Sequence, residues 1–130
     1  MKMASEIAYI YDFLSLIFEN PIIDKINEII LFGSVAKKTQ DKKSDIDLFF
    51  NIKNEEEKEE IENSLKRILK SFEIKAEKTW KLKKISYPIS FIVGSLDEEI
   101  WKEIKDEITS SGILLYSQYK EMPKNIKHFS

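Results

Sequence analysis

Cysteine is absent from this chain of 130 residues, and glycine and proline each occur three times. Without cysteine, a disulfide framework and a zinc site built on thiolates are both excluded, which suits a protein of the cytoplasm. No apolar run approaches the about 20 residues that a membrane-spanning helix needs. The N-terminal stretch MKMASEIAYIYDF carries acidic residues where a signal peptide would not. We therefore expect a cytoplasmic protein with no membrane segment.

A strong excess of charge of either sign is also lacking. Charged residues make up 34% of the chain, yet the formal net charge is -2. No overall field therefore favours nucleic acid or a membrane, although a nucleic acid partner stays open. The length suits one domain with one core, and neither an internal repeat nor a long linker divides it. We expect a single domain over residues 1–130.

Apolar periodicity and turn residues predict an interleaved order of helices and strands. The expected elements are an N-terminal helical segment (1–27, with a helix over 4–19), strands at 28–32 and 45–52, a helix at 54–71, strands at 72–82 and 85–93, a helix at 97–110, a strand at 113–116 and an irregular tail (117–130). This order favours an α+β fold, with a mixed sheet flanked by helices.

The stretch LFGSVAKKTQDKKSDIDLFF, residues 31–50, carries the chemistry of this sequence. Gly33 and Ser34 end the first strand, and Asp45 and Asp47 open the second. Residues two apart in a strand face the same side, so both carboxylates project together. Two carboxylates this close repel each other unless a cation lies between them. Hard oxygen ligands of this kind suit Mg²⁺, which completes its shell with water and phosphate oxygens.

The turn before this pair suits a phosphate. Gly33 has no Cβ, so a phosphate can approach its backbone closely. Ser34 offers a hydroxyl and an N–H at what could be a helix N-terminus, which is a ready anion site. A triphosphate at Gly33 and Ser34, with a metal at Asp45 and Asp47, would form the two halves of a nucleotide-transfer site.

Gly33-Ser34-x-Ala36, followed by Ser44-Asp45-Ile46-Asp47-Leu48, resembles the signature of the nucleotidyltransferase superfamily related to DNA polymerase beta. The closest type is the minimal nucleotidyltransferase, a single small domain. The resemblance is strong from residue 28 to residue 52 and weaker up to residue 116.

The resemblance implies transfer of a nucleoside monophosphate from a nucleoside triphosphate, with ATP the expected donor, to a hydroxyl, with Mg²⁺ as cofactor. The implied residues are Asp45 and Asp47 for catalysis and metal binding, and Gly33, Ser34, Lys37, Lys38 and Ser44 for the nucleotide. Minimal members often pair with a small helical HEPN partner, and there they act as antitoxins that add AMP to a tyrosine of the toxin.

One departure from the family pattern concerns a third carboxylate. Active members place it on a later strand, beside the first pair, and the aligned position here is Ser90. A serine can replace it neither as a base nor as a comparable metal ligand. Glu73 or Glu77, on the strand expected at 72–82, could substitute, although outward-facing charges on an alternating strand are the simpler interpretation.

Other interpretations stay open. Gly33 and Ser34 could be an ordinary turn and Asp45 and Asp47 the start of an edge strand. The alternative function is a non-catalytic module that kept the nucleotide pocket, or only the fold, and acts through contact with another protein. Separately, Tyr9, Tyr11 and Phe13 give the first helix apolar side chains on more than one face, which predicts a homodimer or partner surface.

Overall fold

The computed structural model describes residues 4–33, 45–80, 87–118 and 127–128. Its helices and strands are α1 (Ala4–Phe18), β1 (Ile26–Phe32), β2 (Ile46–Ile52), α2 (Lys58–Thr79), β3 (Ile89–Gly94), α3 (Lys102–Ser111), β4 (Ile113–Ser117) and β5 (Lys127–His128). Short 3₁₀ turns precede β1, α2 and α3, at Pro21–Lys25, Glu55–Glu57 and Glu99–Trp101 respectively. Within these ranges, no helix is long and apolar enough to span a membrane.

The strands form one five-stranded sheet in the order β3-β2-β1-β4-β5. Strand β1 runs antiparallel to both of its neighbours, β2 and β4. The outer pairs, β2 with β3 and β4 with β5, are parallel. The predicted mixed sheet flanked by helices is therefore confirmed.

Helices cover both faces of the sheet. Helices α1 and α2 pack on one face, where they bury residues such as Phe13, Leu65 and Phe72 against Leu48 and Phe50. The other face carries a smaller cluster of buried residues, Ile30, Phe49, Ile108 and Leu114, of which Ile108 belongs to α3. Because side chains alternate along β2, Asp45, Asp47, Phe49 and Asn51 share the face that α3 covers.

The strand predicted at 72–82 is wrong, because α2 continues through this stretch to Thr79. Phe72 and Ala76 are buried and lie four residues apart, which is helical spacing, whereas Ile74 is 58% exposed. Glu73 and Glu77 are exposed on the helix that packs against the opposite face of the sheet from Asp47. They therefore cannot replace the third carboxylate.

Several boundaries also differ from prediction. Strand β3 begins at Ile89, after Tyr87 and Pro88, and α3 begins at Lys102 and not at residue 97. Strand β1 begins at Ile26, inside the segment expected to be helical, and Lys127–His128 form a short strand within the tail expected to be irregular. These two residues pair with Ile113 and Leu114 of β4. Edge pairing of this kind uses backbone groups, so two residues carry no side-chain pattern that could have predicted it.

The aromatic residues of α1 are largely covered by the chain itself. Tyr9 is 4% exposed and packs edge-to-face on Phe72, Trp80 and Tyr87, with ring centroids 5.1 to 5.3 Å away. Phe18, at the end of the helix, is 40% exposed. The additional apolar face of α1 thus has a partner in α2, and the homodimer stays a prediction.

Candidate functional site

Asp47 lies in the middle of a row of three residues on adjacent strands. The register of β1 and β2 pairs it with Phe32, and the register of β2 and β3 pairs it with Ser90. Directly paired residues of neighbouring strands project from the same face, so Ser90 lies beside the Asp47 side chain. Ser90 is thus the neighbour of Asp47 on β3, and its equivalence to the family's third carboxylate stays a prediction.

Asp45 immediately precedes β2 and is exposed, whereas Asp47 is half-buried. Burial raises the pKa of the Asp47 carboxyl above its usual range, and the negative charges of Asp45 and Glu107 raise it further. The structure therefore brings the two predicted carboxylates within electrostatic range of each other and adds a third. Negative charge accumulates at this end of β2.

Gly33 follows β1 directly and has a φ of 77°, a left-handed backbone conformation that residues with a Cβ rarely adopt. A Cβ at this position would collide with the Asp47 carboxylate. The turn backbone and the carboxylate are therefore in close contact, and two separate reasons, conformation and space, require glycine here.

Glu107 of α3 is the site residue that sequence reasoning missed. Its Oε2 accepts a 3.0 Å hydrogen bond from the backbone N–H of Gly33. The sequence holds a partial signal, since Ile104 and Ile108 are apolar at helical spacing and Glu107 lies beside them on the helix. The point at which α3 crosses the sheet is set by tertiary packing, and no local pattern encodes it.

The remaining predicted nucleotide ligands, Ser34, Lys37, Lys38 and Ser44, lie outside the described residues. Their roles stay predictions. The described part of the proposed site thus consists of Gly33, Asp45, Asp47 and the newly found Glu107, with Ser90 on the neighbouring strand.

Within the described ranges, no three acidic, histidine or cysteine side chains are grouped so that they could hold a metal ion. Mg²⁺ commonly binds one or two protein carboxylates and takes its other ligands from water and phosphate. Asp45 and Asp47, on one face and mutually repulsive, fit that donor set. They do not form a site that would hold the ion by protein ligands alone.

Comparison with known proteins provides the wider context. No curated protein matches the chain. Among solved structures, a Sulfolobus solfataricus protein provisionally assigned as a nucleotidyltransferase is similar over 95% of this chain and 85% of its own, at 19% identity and a TM-score of 0.44. The family model of the polymerase beta nucleotidyltransferase domain matches residues 14–121, which is most of the chain. The chain therefore belongs to the polymerase beta nucleotidyltransferase family.

Proposed function

We propose that this protein transfers a nucleoside monophosphate from ATP to a hydroxyl acceptor, with Mg²⁺ bound at Asp45 and Asp47. The observation that carries the proposal is the sheet register. It brings Asp47 against the Gly33 turn on one side and Ser90 on the other. The turn that we propose binds phosphate and the carboxylate that we propose binds metal are therefore neighbours, which supports nucleotidyl transfer.

The turn supplies the phosphate-binding half of this site. Gly33 leaves its backbone open to a phosphate oxygen, and its N–H already binds an anion, the Glu107 carboxylate. We expect the triphosphate to take over that N–H together with Ser34. Lys37, Lys38 and Ser44 would add positive charge and a hydroxyl along the phosphates.

The carboxylates supply the metal-binding half. When bound, Mg²⁺ would neutralise charge on the phosphates and on the transferred group. Asp45 and Asp47 hold the negative charge that attracts it, and Asp47 is kept in place by its strand neighbours. Ser90 beside Asp47 offers no comparable ligand, so we expect turnover to be slow unless a partner supplies the missing group.

The expected acceptor is a hydroxyl on a partner protein. The family type implies a tyrosine hydroxyl on a small helical HEPN-type partner, within a toxin–antitoxin pair. Such a partner would dock over the α3 face, where Asp45, Asp47 and Ser90 project. In nucleotidyl transfer the acceptor hydroxyl bonds to the α-phosphorus of ATP, loses its proton, and displaces pyrophosphate. The hydroxyl must therefore lie in line with the departing pyrophosphate, which a docked partner would ensure.

A second function is favoured by one specific observation, the serine at position 90. A module that binds a nucleotide without using it would need the Gly33 turn and one metal ion but no activating carboxylate. In that case the protein would act through contact with a partner, and bound nucleotide would control the contact.

Both the transferase and the binding module require ATP binding, which calorimetry with ATP and MgCl₂ tests. We expect wild type to bind ATP in an Mg²⁺-dependent manner and the Asp45→Asn/Asp47→Asn variant to lose this dependence. Asp106→Asn, which changes an exposed acid on α3, is the matched control and should bind like wild type.

Transfer is then measured with ATP labelled at its α-phosphate. Label that appears on a protein or RNA acceptor supports the transferase. Binding without label transfer, even with candidate partners present, supports the binding module. If wild type does not bind ATP at all, both functions are wrong.

A further inference from the structure

A second pocket lies on the same face of the sheet as Asp47, near the other end of β2. It has a volume of about 300 Å³, at the lower end of the range for small-molecule sites. Asn51 lies four residues after Asp47 along β2, so about 13 Å of strand separates the two sites. The residues that define its chemistry are Glu28, Asn51, Lys53, Leu96, Lys105 and Thr109.

Glu28 is the unusual member of this lining. Glu28 is only 6% exposed, although it carries a carboxylate. In a regular strand it would share a face with Ile26, on the side of α1 and α2. The register of β1 on β2 instead pairs Ile26 with Ile52 and Glu28 with Asn51, so Asn27 is an extra residue. This bulge turns Glu28 to the α3 face, and bulges commonly re-aim side chains in this way.

A short network holds the Glu28 side chain in place. Asn51 donates a 2.7 Å hydrogen bond from Nδ2 to Glu28 Oε1. The Oδ1 of Asn51 in turn accepts a 2.9 Å bond from the backbone N–H of Leu96. Both ends of the Asn51 amide are therefore used, which fixes its orientation and positions one oxygen of Glu28.

The charge of Glu28 is not compensated within the described residues. The ion pairs found there join Lys25 to Glu57 and Glu60, and none reaches Glu28. Lys53 and Lys105 line the same pocket but do not bind its carboxylate. A buried charge without an opposite charge is costly, and one amide hydrogen bond offsets only part of that cost. A carboxylate of this kind at a pocket wall is suited to a cationic ligand.

Lys53 and Lys105 limit which cationic ligands the pocket can bind. Lys53 and Lys105 are exposed and carry positive charge at the same pocket, so a purely cationic ligand would be repelled there. A ligand with a cationic nitrogen at one end and a carboxylate at the other satisfies both sets of groups. Guanidinium groups in particular present several N–H donors to a carboxylate.

We propose that this pocket binds a small zwitterion of the free basic amino acid class. Its cationic nitrogen would donate to Glu28, and its carboxylate would lie against Lys53 and Lys105. This site is separate from the proposed nucleotide site, and its existence does not depend on nucleotidyl transfer.

Three related probes test the proposal on the full chain by calorimetry and by amide NMR. L-arginine has both charged ends, agmatine lacks the carboxylate, and L-citrulline lacks the cationic side chain. We expect arginine to bind in a saturable way and to shift the Leu96 amide and the Asn51 side-chain amide. Agmatine and citrulline should both bind more weakly.

Variants test which pocket residues bind the cationic end and the carboxylate end of arginine. Glu28→Gln keeps an acceptor for Asn51 but removes the charge, and it should weaken arginine binding roughly tenfold or more. Lys53→Met with Lys105→Met should weaken arginine binding and strengthen agmatine binding, because it removes the two charges that repel a purely cationic ligand. The exposed α2 residues provide controls, Glu73→Gln and Lys70→Met, and both should bind arginine like wild type.

Several results would overturn the proposal. These are no arginine-induced shift at Leu96 and Asn51 in wild type, equal binding of citrulline and arginine, or unchanged arginine affinity in Glu28→Gln. Shifts produced by MgCl₂ alone at the same amides would also overturn it. If Glu28→Gln does not fold, the comparison of the three probes on wild type decides. The Asp45→Asn/Asp47→Asn variant should bind arginine normally, which separates this site from the nucleotide site.

Discussion

The backbone N–H of Gly33 donates a 3.0 Å hydrogen bond to the carboxylate of Glu107. The turn that is expected to bind phosphate therefore already binds an anion from its own chain. The same carboxylate raises the pKa of Asp47, so it also lies within electrostatic range of the proposed metal ligands. An incoming triphosphate has to displace Glu107 and to overcome its charge.

Replacing Glu107 by glutamine should therefore strengthen ATP binding in the absence of metal. The glutamine keeps an acceptor for the Gly33 N–H but removes one negative charge from the site. We expect a two- to fivefold gain in affinity, equivalent to about 0.5–1 kcal/mol for a solvent-screened charge. Calorimetry measures the change, and Glu103→Gln, an exposed acid one turn earlier on α3, is the control. Weaker binding in Glu107→Gln would mean that the carboxylate helps to hold the ligand.

Gly33→Ala should lower the free energy of unfolding by about 1–3 kcal/mol. The alanine would have to adopt a left-handed backbone and its Cβ would meet the Asp47 carboxylate. Urea unfolding of Gly33→Ala, Asp47→Ala and the double variant separates the two causes. We expect a coupling energy of about 0.5 kcal/mol or more, because Asp47→Ala removes the collision but not the backbone strain. If the changes in unfolding free energy of the two single variants add up to that of the double variant, the collision is relieved by movement of the turn.

Ser90→Asp should raise the rate of nucleotidyl transfer by roughly tenfold or more. This is a small part of the rate enhancement that a well-positioned general base can provide. Ser90 is paired with Asp47 and exposed, so a carboxylate there can reach the same solvent-facing cleft. Label transfer from ATP is the measurement. Ser90→Asn matches the size of aspartate without its charge and should not raise the rate. If Ser90→Asp has no effect on an active wild type, another group already does this work.

The raised pKa of Asp47 predicts a pH-dependent stability. A carboxyl whose pKa is higher in the folded state than its usual 3.8 binds its proton more tightly when folded, so its charged form opposes folding. Stability should fall as pH rises from 3.8 through the folded-state pKa. Asp47→Asn removes this effect, so we expect its melting temperature to exceed that of wild type at neutral pH, by an amount that vanishes in acid. Asp106→Asn should show no such trend in thermal unfolding followed by circular dichroism.

The shared face of Asp45 and Asp47 could be predicted from the sequence because it depends on local geometry. Alternation along β2 placed Asp45 and Asp47 on one face without knowledge of any other strand. Alternation gave the wrong prediction at residues 72–82. Phe72, Ile74 and Ala76 recur at every second residue, as in a strand. Phe72 and Ala76 are also four residues apart, as on one face of a helix. The structure decides for the helix, since Phe72 and Ala76 pack on α1 and on the sheet while Ile74 points to solvent.

The parts that were missed depend on long-range arrangement. Glu107 reaches Gly33 because of where α3 crosses the sheet, and 74 positions separate the two residues in the chain. Glu28 reaches its pocket because Asn27 is a bulge, and a bulge is defined by the partner strand rather than by its own residue. Neither feature leaves a periodic pattern that could be recognised in the sequence.

Helix α3 contacts both sites, with Glu107 at the Gly33 turn and Lys105, Ile108 and Thr109 at the second pocket. Ten residues of helix form a short, stiff rod of about 15 Å, so a displacement at one point is carried to the others. If a ligand in the pocket draws this rod away from Gly33, it frees the amide for phosphate. Thermodynamic linkage then makes the effect mutual: the factor by which an amino acid changes the affinity for nucleotide is the factor by which nucleotide changes the affinity for the amino acid.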